Sequence, residues 1–332
     1  MKAVVIEKPG KVSIEKLTDP SPGPSEAVIE VEACGICGTD IHVLEGDLEM
    51  VPYPIVPGHE FCGEVVAVGS EVRNVRAGDF VAVDPSLFCG HCRFCRLGRF
   101  NLCENWNATG VTKDGACAEL VAVPAANAFP LPADIPRRWG TLVEPLSCAV
   151  HGFDQVDPRL ASSYLIYGAG TMGLLLAQLA RHAGPDLVDI VDKNPQRFEL
   201  AKRLAADRAA TSADELDRPQ GWDVVIDATG AVPAIEDGLR RVGRGGTFLM
   251  FGVASNEAMA SFSPFRVYND ELTIIGSMAV LHSFERALEL LARRVIDCEA
   301  MLTHRFSLDQ YETAIDTFRQ GSGLKVQVAA EG

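Results

Sequence analysis

The chain has 332 residues, 47% of them hydrophobic and 23% charged, with a net charge of −15 and ten cysteines. That length suffices for two domains with separate cores, and the composition is that of a folded protein. The negative balance argues against nucleic acid and against anionic membrane surfaces as partners, and no apolar run approaches the roughly 18 residues of a membrane span.

In chain order, the opening residues 1–6 read as a strand and lack the apolar core and cleavage site of a signal peptide. The expected compartment is therefore the cytosol, where many cysteines point to metal or catalysis before disulfides. Over residues 1–130, short β-type runs at 27–32, 64–68, 80–83 and 116–123 alternate with Gly- and Pro-rich turns, the pattern of a β-rich domain. From about residue 150, strands at 164–167, 187–191, 224–228, 247–251 and 272–275 alternate with helical segments. One helix runs over 172–182 and stops at Gly184-Pro185; another starts at Asn194-Pro195 and runs to about Ala206. Strand, helix, strand in succession predicts a parallel, doubly wound sheet and an α/β fold class. The strand at 272–275 suits a subunit interface or a sheet interior equally. Helices at 283–294 and 309–318 and a strand at 325–328 complete the chain.

The residues that carry chemistry begin with Gly-Ile-Cys-Gly-Thr-Asp-Ile-His at 35–42 and Pro-Gly-His-Glu at 57–60. Cys37 and His59 are the soft and borderline ligands that zinc prefers, Glu60 follows His59 directly, and Asp40 is near enough to support a ligand. The bland alternative is a buried cysteine and a turn histidine. Against it, the polar residues cluster between glycines, in what reads as a loop. Glu144 stands in an apolar run with Leu142, Val143 and Leu146, where a carboxylate is costly unless paired or metal-bound, so it joins the same metal site. His151 reads as a packed helix histidine.

Cys89, Cys92, Cys95 and Cys103 form C-x2-C-x2-C-x7-C. Four thiolates at such spacing close a tetrahedron around one ion with no open position, which makes a structural zinc site; an iron–sulfur cluster is the alternative. The turn Gly168-Ala169-Gly170-Thr171-Met172-Gly173 follows a strand and opens a helix, as a dinucleotide-binding fingerprint requires. Its helix start offers free amides to a pyrophosphate. Asp192, about twenty residues on, is placed for the adenosine ribose hydroxyls and would repel the extra phosphate of NADP, so NAD is expected. Lys193 and Arg197 lie nearby, and Arg197 joins the cofactor-binding set. Phe100, Trp106, Asn107 and Met278 read as packing before pocket.

Together these motifs resemble the zinc-dependent medium-chain alcohol dehydrogenase family across essentially the whole chain. The resemblance implies a GroES-like β-rich catalytic domain over 1–149 with a structural zinc lobe at 86–104, a Rossmann NAD-binding domain over 150–280, a return to the catalytic domain over 281–332, and an active site in the cleft between them. It implies one catalytic and one structural zinc per chain. Cys37 and His59 are similar to catalytic zinc ligands, Glu60 to the carboxylate that can enter the zinc shell, and Thr39 and His42 to a proton relay. Asp40 is similar to the partner that orients His59. Glu144 stands where classical alcohol dehydrogenases carry a second cysteine, as in the polyol branch. Val43 departs from the aromatic residue usual after the relay histidine there. The implied activity is oxidation of a secondary alcohol of a polyol or sugar alcohol by NAD, with threonine dehydrogenases as neighbours and a homo-oligomer, dimer or tetramer, as the assembly. A zinc- and NAD-binding sensor would share the glycine turn but not the relay residues, and a zinc scaffold would need only the thiols.

Overall fold

The structure is a computed structural model that describes residues 1–330. The chain divides into two compact units. The first comprises Met1–Ser147, Val280–Arg294 and the chain from Cys298 onward; the second comprises Cys148–Ala279 and Val295–Asp297. One division falls inside the helix Val143–Asp154. The short return of Val295–Asp297 to the second unit was not expected from the residue pattern. There the Asp297 N–H donates to Gln178 Oε1, on the helix Thr171–His182, at 2.8 Å. Among the described residues, no helix is long and apolar enough to cross a membrane.

The first unit is built on a mixed sheet. In spatial order its strands are Leu302–Ser307, Lys325–Ala329, Glu26–Gly35, Glu60–Val68, Phe80–Val83 and Ala128–Pro130, with Leu120–Pro124 also paired to Glu26–Gly35. The apolar positions of Glu26–Gly35 are buried while Glu30 is exposed, so the strand follows its hydrophobic pattern. Ile6, Ile29, Phe61, Val65, Val326 and Val328 belong to its core. The helix Tyr311–Arg319 adds Tyr311, Ala314 and Ile315, which share one face by their three- and four-residue spacing. Two elements escaped the sequence reading here. The strand Leu302–Ser307 is half-buried and carries His304 and Arg305, so it lacks an apolar run. The stretch between Gly35 and Glu60 is not a loop throughout, because Gly38–Glu45 is a helix and Glu60 opens a strand.

The second unit is a parallel sheet ordered Arg208–Ala210, Leu187–Val191, Ser163–Tyr167, Trp222–Asp227, Val242–Met250 and Thr273–Gly276. Ser163–Tyr167 is buried at every position, as a strand covered on both faces must be. It pairs with Leu187–Val191 on one side and Trp222–Asp227 on the other, so the strand order reverses beside it. A ligand crevice opens at the carboxyl end of such a reversal. The helix expected to run to Ala206 is a 3-10 turn, Pro195–Arg197, followed by Phe198–Leu204. Thr273–Gly276 lies at the sheet edge, which rules out an interior position.

Asp189 is fully buried in this unit. It accepts hydrogen bonds from Arg208 Nε and Nη2 at 2.9 and 2.6 Å and from Trp222 Nε1 at 2.8 Å. D189A leaves the buried indole N–H without an acceptor, while Arg208 can turn to solvent. A loss of about 1–3 kcal/mol is expected, read as a lower urea midpoint, with D189N retaining part of it.

Candidate metal centre and dinucleotide turn

Cys37 caps the start of the helix Gly38–Glu45, and its N–H donates to Asp40 Oδ2 at 2.9 Å. His59 precedes the strand Glu60–Val68 at the positive-φ residue Gly58. A Cβ on Gly58 would lie 2.7 Å from the sulfurs of Cys34 and Cys117, so only glycine brings His59 in at this angle. One donor atom each from Cys37, His59 and Glu60 lies within 4.8 Å of the others.

His59 and Asp40 are buried, and His59 Nδ1 faces Asp40 Oδ1 at 3.6 Å. Neither atom has a hydrogen-bond partner. The imidazole therefore directs one nitrogen to Asp40 and leaves the other for a metal, the arrangement that sets the tautomer of a ligating histidine. Burial opposes charging the ring, yet Asp40 and Cys37 hold its pKa well above the usual histidine value. A pocket that stabilises positive charge on a buried imidazole also suits a cation. The sulfur, nitrogen and oxygen donors fit zinc, and three protein donors are the number found where a zinc keeps an open position.

Glu60 is buried, and its Oε2 accepts a hydrogen bond from the ammonium of Lys325, which is also buried. Lys325 Nζ reaches the carbonyl of Ile36 at 3.4 Å. Burial acts to lower the lysine pKa, but Glu60 and Cys37 outweigh it, with a smaller contribution from Glu144, so the ammonium is retained. Glu144 lies in the first turn of Val143–Asp154 and is near enough to act on Lys325, but it is not part of the 4.8 Å group. Thr39 Oγ1 lies 3.8 Å from Cys37 Sγ. His42, three residues on and so on the same helix side, is partly exposed and has Nδ1 2.9 Å from Asp47 Oδ2. His151 is buried in its helix. Lys325 and Asp47 were missed in the sequence, and the one available signal was a lysine at the head of the otherwise uncharged Lys-Val-Gln-Val-Ala.

The sulfurs of Cys89, Cys92, Cys95 and Cys103 also lie within 4.8 Å of one another. Cys89–Cys95 and Cys92–Cys103 are each 4.0 Å apart, close to the roughly 3.8 Å edge of a tetrahedron with zinc–sulfur bonds of about 2.3 Å. Amides of Cys89 and Asn105 donate to Cys103 Sγ at 3.3 Å, and that of Cys92 to Cys89 Sγ at 3.4 Å. Amide donors bring Cys89 down to about 6 and lower Cys92, while desolvation and the neighbouring thiols push Cys95 up to about 12. Phe100 stacks on Phe88 and meets the His282 ring edge-on, and Trp106 packs on the thiols, so both are packing residues.

In the second unit, Gly168 turns at φ +102°, Gly170 caps the helix Thr171–His182, and Thr171 and Met172 open it. A Cβ at Gly173 would lie 1.8 Å from the Gly168 carbonyl oxygen. At Gly170 it would meet only Arg197 Nη1, at 3.7 Å, so the backbone there is open to a close-approaching ligand. Asp192 Oδ2 accepts from the Ala169 N–H at 2.6 Å and Oδ1 from that of Asn194 at 2.7 Å, with Arg197 Nη1 3.5 Å away. Asp192 thus holds the glycine turn through its carboxylate. Asp227, not singled out in the sequence, is buried and accepts from the amides of Thr229 and Gly230, each at 3.0 Å, which shapes the neighbouring turn.

Residues 23–133 match the alcohol dehydrogenase GroES-like domain, and residues 171–293 match the zinc-binding dehydrogenase family. D-arabinitol dehydrogenase 1 of Uromyces fabae is 38% identical over 339 residues, covering 99% of this chain and 97% of that protein. L-threonine 3-dehydrogenase of Shewanella frigidimarina is 34% identical over 318 residues, covering 92% of this chain and 93% of the relative. A structure described as a zinc-binding dehydrogenase of Sinorhizobium meliloti 1021 bound to NADP superposes with a TM-score of 0.94 at 35% identity, covering 99% of this chain and 98% of its own.

The two clusters predict different responses to the loss of a thiol. C95S should remove one zinc per chain and lower the melting temperature by several degrees, because a closed site contributes folding energy. C37S should also remove one zinc while moving the melting temperature little. Metal analysis of both variants beside thermal melts checks this.

Proposed function

The chain belongs to the zinc-dependent medium-chain alcohol dehydrogenase family, and on that premise we propose that it oxidises a secondary alcohol of a polyol or sugar alcohol to the ketone, with NAD as hydride acceptor. The observation that carries this reading is the open donor set of Cys37, His59 and Glu60 within 4.8 Å. The likeness to D-arabinitol dehydrogenase 1 supports a polyol substrate.

Cys37 and His59 would hold the catalytic zinc with Glu144, and Glu60 is the neighbouring carboxylate that can enter its shell. The four-cysteine lobe holds the structural one. Zinc supplies a Lewis acid toward the substrate hydroxyl, and the dinucleotide supplies the hydride acceptor. Asp40 fixes His59 by facing its Nδ1. Thr39, beside the Cys37 sulfur, would accept the hydroxyl proton while giving up its own hydroxyl proton to the relay. His42 would pass a proton from the relay to solvent through the ring nitrogen that Asp47 leaves free. The glycine turn at 168–173 receives the pyrophosphate on its helix start. Asp192 takes the ribose hydroxyls, which favours NAD; Arg197 beside it favours the NADP reading that the Sinorhizobium structure represents.

The family resemblance, the exposed Phe265 and Tyr268, and the place of Thr273–Gly276 at the sheet edge support a homo-oligomer, dimer or tetramer. A second reading, dehydrogenation of an amino acid such as L-threonine, is favoured by the 34% identical relative.

Reduced-nicotinamide absorbance with D-arabinitol, other polyols and L-threonine, each with NAD and with NADP, decides between them. Turnover with a polyol and NAD is expected, turnover with L-threonine alone selects the second reading, and none with any substrate leaves a sensor. C37S should abolish turnover with folding intact. D192A should lower kcat/KM for NAD relative to NADP by about tenfold or more, the equivalent of one lost charge-assisted hydrogen bond.

A further inference from the structure

We propose that Lys325 is a positioning residue that draws the Glu60 carboxylate off the catalytic metal and so keeps one coordination place open for substrate. The proposal rests on the assignment of Cys37 and His59 as metal ligands.

A buried lysine is rare and must be compensated. Lys325 is 2% exposed and Glu60 1%. The backbone makes room for the pair, since a Cβ on Gly35 would lie 2.4 Å from Glu60 Oε2 and 3.1 Å from Lys325 Cδ. Strand register supplies the ammonium, because Gly35 pairs with Glu60 on one neighbouring strand and with Gln327 on the other. The Ile36 carbonyl, at 3.4 Å, gives Nζ a further acceptor on the same side.

Glu60 is thus within reach of two cations. Its carboxylate belongs to the donor group of Cys37 and His59, yet its Oε2 is bonded to Lys325. The charges explain why this matters. The Cys37 thiolate already offsets part of the charge of a divalent ion, and a further negative donor from Glu60 would weaken its pull on a substrate oxygen. An ammonium held against Glu60 offsets that charge and competes for the oxygen. Without the ammonium, Glu60 is a buried, unpaired carboxylate, and the metal is the cation left within reach. Lysine, a compact point charge with three donors, suits this role.

The test compares wild type, K325M, K325R, E60Q and K325M/E60Q as holoenzymes, with H59A as the reference that lacks the site. One readout is zinc affinity by competition with a chromophoric chelator. The other is the visible spectrum of the cobalt-substituted protein, with the H59A spectrum subtracted to remove the four-thiolate lobe. In K325M, zinc affinity should rise by about tenfold or more, within the range over which partners of metal ligands act, and the cobalt absorption should weaken as a carboxylate adds to the coordination. K325R should behave as wild type, and K325M/E60Q should match E60Q. A K325M protein with unchanged or weakened affinity and an unchanged spectrum overturns the proposal, as does a gain that persists without Glu60. Where K325M does not fold, equal affinities of E60Q and K325M/E60Q uphold it and unequal ones overturn it. If H59A binds as much zinc as wild type, the metal assignment itself fails, whatever Lys325 does.

Discussion

The register at Gly35 is the constraint on which the metal centre depends. Gly35 is paired with Glu60 in one adjacent strand and with Gln327 in the other. That pairing fixes three things at once. It sets Cys37 two residues past the strand end, at the start of a helix. It sets His59 one residue before the partner strand. It also brings the head of a strand from the far end of the sequence beside both. A side chain at position 35 would fill the space of the carboxylate–ammonium pair, so the glycine is a requirement of the centre and not merely of a turn.

The two cysteine-bearing sites are built on opposite principles. The lobe draws its donors from a short segment wound around itself, with amides aimed at the sulfurs, and four thiols enclose a single position. The other centre draws donors from a helix start and a strand start, and its polar partners, Asp40 and Lys325, stand behind the donors. A closed thiolate cage stabilises the fold around it; a three-donor set with charged partners behind it can still accept a further ligand.

Much of this was legible in the residues. Spacing alone grouped the four cysteines, because ligands from one segment leave their signature in one segment. The strand at 187–191 and the glycine turn were equally local, and Gly168 and Gly173 do the work their pattern implies. The less local features were hidden. Leu302–Ser307 is an edge strand with one polar face, so it shows no apolar run. Lys325 and Glu60 are 265 residues apart, and nothing near either one announces the other. Glu144 was singled out as a carboxylate in an apolar run; it lies outside the 4.8 Å donor group, and the pattern did not show that Lys325 lies close enough to act on it.

That separation has a temporal consequence. Cys37, His59 and Glu60 leave the ribosome early, while the lysine that neutralises Glu60 follows 265 residues later. At ordinary elongation rates the interval is on the order of tens of seconds. During it the nascent amino-terminal segment carries its donors without their countercharge, and the sheet lacks the strand that borders Gly35. The centre is therefore complete only once the strand Lys325–Ala329 has paired beside Gly35.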